Sequence, residues 1–151
     1  MGIWHKRAVF SAIIGVLATA GFLAAGWAGD GPGGLVEDTA RRNIAAAFVA
    51  FGIFGNLIVT YFTRHRPGNP ATVVDERDRS IHRIATEVSL RLTVAAVFLG
   101  CLILYETNAG IGTISANWVW FIGYGVFLVS NLGWAVPAVL MYAGVGGRAE
   151  G

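Results

Sequence analysis

VWFIGYGVFLVSNLGWAVPAVLMY, residues 119–142, contains no charged side chain. A helix needs about 20 predominantly apolar residues to cross about 30 Å of hydrocarbon. This run is long enough to span with some tilt. In lipid every backbone N–H and C=O must find a partner within the protein, so only helices and closed barrels cross a bilayer. Barrel strands would alternate in polarity over segments of about 10 residues. This run does not alternate, and it reads as a helix.

The same character recurs toward the N-terminus. Apolar stretches cover residues 8–28, 44–63 and 88–106. The expected fold is therefore all-α: one polytopic membrane four-helix bundle over residues 1–151, with 119–142 as its fourth span. Composition agrees. The chain is 55% hydrophobic and 13% charged, about half the charge of an ordinary soluble domain, and its mean hydropathy is +0.61. A soluble globule and a disordered chain are excluded. The single cysteine, Cys101, excludes an intrachain disulfide. Lys6-Arg7 before the first stretch and Gly26-Trp27-Ala28 at its end resemble a secretory signal, but the apolar stretch exceeds the usual core of about 7–15 residues. It is read as a retained span.

Loop charge sets the expected orientation, because Lys and Arg concentrate on the cytoplasmic side. Lys6, Arg7, Arg64, Arg66, Arg77, Arg79, Arg83, Arg91 and Arg148 fall on one side, and Arg41 and Arg42 on the other. Both termini and the loop between spans two and three are thus expected in the cytoplasm, in a bacterial inner membrane. Trp4, Tyr61 and Tyr142 would mark one interface and Trp27, Tyr105, Trp118 and Trp120 the other. Outside, residues 29–34 (GDGPGG) read as a flexible turn. Glu37 to Arg42 is expected to begin the second helix early, with Glu37–Arg41 and Asp38–Arg42 paired at i,i+4.

Lipid gives helices no hydrophobic reason to associate, so small residues and hydrogen bonds must hold a bundle. Gly15 with Thr19, Gly21 with Ala25, Gly52 with Gly55, and Gly123, Gly125 and Gly133 supply notches. Asn56 in span two and Asn131 in span four are amides that hydrocarbon penalises when unpaired. Three roles are open to them: a bond to a neighbouring helix, the lining of a polar path, or a contact in a homodimer. No span carries a charge near its centre, which weighs against a proton relay.

The unusual segment is VVDERDRSIHRIATEVSLR, residues 73–91. Asp75 is an expected N-cap with Asp78 three residues on. Asp75–Arg79, Asp78–His82 and Arg83–Glu87 fall at i,i+4. At 100° per residue, Ile81, Ile84, Ala85 and Val88 share one side, so residues 75–88 form an amphipathic cytoplasmic helix continuous with span three. Its apolar side packs under the bundle, docks a partner through Ile81, Ile84 and Val88 rimmed by Asp75, Glu76, Arg77 and Asp78, or meets anionic headgroups. Asp75, Asp78 and His82 share a face, but Arg79 among them repels a metal ion. No catalytic set or phosphate loop occurs, so no enzyme, cofactor or metal is expected, and no direct contact with nucleic acid.

The Asp75-Glu76-Arg77-Asp78 run, followed by Ile81 and Ala85, resembles a group of small uncharacterised bacterial four-span integral membrane proteins. These share a DER segment, three or four residues and an Ile before the third span. Some resemble the membrane halves of pairs whose other half is a cytoplasmic regulator, which implies a protein partner. The expected function is a membrane scaffold or regulatory partner that offers the 75–88 helix to a cytoplasmic protein. The alternatives are a small transporter or channel working through Asn56 and Asn131, or an accessory subunit of a larger membrane complex.

Overall fold

The computed structural model describes residues 3–29, 31–35, 37–63, 75–110, 112–114 and 116–144. Among them there is no strand. Four long helices form the bundle: α1 Ile3–Trp27, α2 Thr39–Phe62, α3 Glu76–Asn108 and α4 Ala116–Tyr142. Each is long and apolar enough to cross a membrane, the build of a multi-pass membrane protein. Each also starts ahead of its apolar stretch, because a polar flank keeps the backbone hydrogen-bonded equally well. At 33 residues, α3 is about 50 Å long, and its first turns are charged.

The helix starts are fixed by side chains. The Asp75 carboxylate accepts the Asp78 N–H at 2.6 Å and caps α3. The Asp38 carboxylate accepts the Arg41 N–H at 3.0 Å, so α2 begins at Thr39 rather than at Glu37. The Arg41 guanidinium turns toward the end of α1 instead of to Glu37. It donates to the carbonyls of Ala25 and Gly26 at 3.4 and 3.5 Å and to that of Gly31 at 3.3 Å. Carbonyls at a helix C-terminus lack partners and carry the negative end of the dipole. They attract the cation more strongly than an exposed carboxylate one turn away does.

The connection between α1 and α2 contains a short turn of helix. Gly29 and Gly31 take left-handed φ values of 60° and 71°, which only glycine adopts without strain. They steer the chain through a 3-10 turn, Gly31–Gly34. Leu35 is thereby inserted into the bundle, only 1% exposed.

The helices stand up and down. α1 and α4 pack together in the middle; α2 packs on α1 and α3 on α4. α2 and α3 have no comparable interface with each other. Two apolar cores result. One, away from the arginine-rich end, joins Ala18, Phe22, Leu35, Ala45, Val49, Phe121 and Leu128. The other, at the arginine-rich end, joins Ala8, Ile81, Ala85 and Ala138. Helical glycines seat side chains from the next helix, as Gly52 receives Ala18 and Gly55 receives Ile14. Gly123 and Gly125 have open space beside them.

Candidate functional site, a polar cleft between the two cores

Each helix carries polar residues toward the arginine-rich end. On α1 these are Arg7 and Ser11, on α2 Asn56 and Thr60, on α3 Thr86 and Ser89, and on α4 Ser130 and Asn131, followed by Trp134. All line a single cleft of about 290 Å³. It lies above the small-residue core at Ala8 and Ala138 and below the aromatic core at Phe22 and Phe121. α2 and α3 flank it without closing on each other. In hydrocarbon such polar groups are costly unless they are hydrogen-bonded or hydrated.

Among the described residues Arg7 is the only charged side chain lining the cleft. It is half-buried. Its guanidinium carbon lies 5.3 Å from the centre of the Trp4 ring and 5.4 Å from that of Trp134, within cation–π range of both. One terminal nitrogen donates to the Thr60 hydroxyl at 3.2 Å. Nε is buried and has no hydrogen-bond partner. The two ion pairs among the described residues are Asp38–Arg41 and Glu87–Arg91, so neither involves Arg7. Below it, the His82 ring stands edge-on to Trp4 and Trp134, with centroids 5.9 and 5.7 Å away.

Asn56 and Asn131 both face this cleft. Neither amide bonds a neighbouring helix. Asn56 Nδ2 donates to the Gly52 carbonyl at 2.9 Å, and Asn131 Nδ2 to that of Phe127 at 3.0 Å. Each satisfies itself on its own helix one turn back, which leaves its remaining amide capacity to the cleft. In this cleft α3 is linked to α4 by Ser89, whose hydroxyl donates to the Ser130 carbonyl at 2.8 Å, as Arg7 and Thr60 link α1 to α2.

The charged segment is divided by the fold. Ile81, Ala85 and Ser89 are buried, a stripe at every fourth residue. Ile84 lies off that stripe and is 41% exposed, against 6% for Ile81; Val88 is half-buried at its edge. Glu76 and Arg77 are exposed. Asp78 accepts the Tyr142 hydroxyl at 2.6 Å rather than pairing with His82. Tyr142 in turn stacks on His5 at 5.0 Å. The ion pair on this segment is Glu87–Arg91, 3.9 Å and largely exposed. Among the described residues no group of His, Cys, Asp and Glu could hold a metal ion.

Sequence reasoning singled out Asn56 and Asn131 but assigned Arg7 only to topology. The pairing of Arg7 with Ser11 and of Asn56 with Thr60, each at i,i+4, is the signal that links them. The groove of Leu17, Gly21, Ile44, Phe48 and Phe51 between α1 and α2 is apolar by contrast and suits alkyl chains. No protein-family profile, curated protein or solved structure matches the chain.

Proposed function

We propose that this is a multi-pass protein of the bacterial inner membrane that binds a small polar solute in the cleft and carries it across. Its termini and arginine-rich end lie in the cytoplasm. It is not an enzyme in this reading. One observation carries it: polar side chains from all four helices converge on one cleft in an otherwise apolar bundle. Helix bundles in membranes place solute sites where helices meet, and here Arg7 near the start of α1 and Thr60 near the end of α2 put the site toward the arginine-rich end.

The outer core supports a carrier over an open pore. Phe22, Leu35, Phe121 and Leu128 fill the bundle above the cleft, so a solute entering from the arginine-rich side meets a closed outer half. Passage then requires that half to part, as alternating access does.

The experiment is uptake into proteoliposomes of a panel of small neutral and charged solutes. Wild type should pass at least one, and Asn56→Leu, which removes an amide from the cleft, should reduce that flux at least about tenfold. A second reading, a scaffold that docks a cytoplasmic protein on the charged start of α3, is favoured by the exposure of Ile84. Folded protein that passes nothing in the panel overturns transport and leaves the docking reading.

A further inference from the structure

We propose that the cleft takes an oxyanion, a carboxylate or phosphate group whose negative charge faces the Arg7 guanidinium. This deepens the solute-binding reading and rests on the cleft being a ligand site.

The argument is one of charge and donors. Among the described residues the cleft has a permanent cation and no Asp, Glu or His in its lining. A metal ion or an ammonium group would be repelled. Arg7 bonds one neutral hydroxyl, and its Nε–H is buried without an acceptor. Buried donors are rarely left unfilled, and the guanidinium fork matches carboxylate and phosphate oxygens. The Trp4 and Trp134 rings both lie within cation–π range of the guanidinium. The Thr60 hydroxyl accepts from Arg7 and keeps its own proton to donate. Ser11 and Ser130 add hydroxyls to the same lining. A ligand presenting several acceptor oxygens around one charge satisfies these donors together, and a neutral solute leaves the guanidinium uncompensated.

The size fits. A cleft of about 290 Å³ has room for a phosphate or small carboxylate with part of its hydration. Two sources present this chemistry. A soluble oxyanion can enter from the arginine-rich end. A phospholipid can bring its phosphate between α2 and α3, whose flanks do not close.

The test uses the full chain in mild detergent, depleted of phospholipid. Phosphate, sulfate and acetate are titrated against chloride at constant ionic strength, and the thermal midpoint is followed. In a parallel arm, native mass spectra count the phosphatidylglycerol retained, with diacylglycerol as the control that lacks a phosphate. Wild type should be stabilised in one arm or the other. Arg7→Gln should lose that response, with affinity down at least about tenfold. Arg7→Lys, which keeps the charge without the fork, should fall between the two. Ser11→Ala should weaken binding severalfold in a folded protein, which keeps the test valid if Arg7→Gln fails to fold. A response to soluble oxyanions alone names that source; retention of phosphatidylglycerol alone names the headgroup. A wild type silent in both arms, or one matched by Arg7→Gln, overturns the proposal. Uptake of neutral solutes by a protein silent to oxyanions overturns it too, while leaving the transport reading intact. Oxyanion binding without any flux does the opposite.

Discussion

Gly133 decides how closely α3 and α4 approach. A Cβ placed there would lie 3.2 Å from the Ser89 Cα and 3.2 Å from the Leu92 Cδ1. The Leu92 side chain can move, but the Ser89 backbone cannot move without carrying α3 away. The Ser89 hydroxyl, which bonds the Ser130 carbonyl at 2.8 Å, would be drawn off with it. Gly133→Ala should therefore cost about 1–3 kcal/mol, part of it from that bond. Gly123→Ala is the matched control on the same helix, because nothing lies within 4 Å of the added carbon. It should stay within about 0.5 kcal/mol of wild type. Unfolding curves in mixed detergent micelles give both numbers. Equal effects at the two glycines would mean that α3 and α4 do not meet at Ser89.

At the scale of the element, the start of α3 shows what a sequence pattern resolves and where it stops. Periodicity locates the helix, its Asp75 cap and its amphipathic character, all from residues within a few positions of one another. It places Ile81, Ile84, Ala85 and Val88 on one broad side. Only the position of α4 narrows that side to Ile81 and Ala85, which meet Ala8 and Ala138. The two isoleucines should thus behave differently. Ile81→Asp puts an unpaired carboxylate among alanines and should cost roughly 3 kcal/mol or more, lowering the yield of monodisperse protein. Ile84→Asp exchanges one exposed side chain for another and should fold as wild type does, removing only whatever docks on that face. A stable Ile81→Asp protein would place the extension away from the bundle.

At the scale of the molecule, the four helices were legible because each needs one continuous apolar run, a property of local sequence. Their lateral order was not. Lipid solvates any outward face of these helices equally, so the order α2, α1, α4, α3 depends on pairs such as Gly26 with Phe121 and Gly100 with Ile122, each joining distant parts of the chain. The depth of Arg7 has the same origin, since Trp134 and Thr60 come from other helices. Orientation rests on a different force, the retention of Lys and Arg loops in the cytoplasm, and so needs its own test. With four crossings, Thr113 and Arg83 lie at opposite ends of the bundle whichever way it inserts; both are exposed. A cysteine at each can be compared in a Cys101→Ala background, since Cys101 is exposed in an apolar stretch of α3 and contributes no core contact. In spheroplasts a membrane-impermeant maleimide should label Thr113→Cys, and Arg83→Cys only after the membrane is opened. Exchange of the two patterns would reverse the orientation and put the mouth of the Arg7 cleft on the outer face. Labelling of both from one side would break the four-span bundle itself, because α3 crosses once between those two residues and so must separate them.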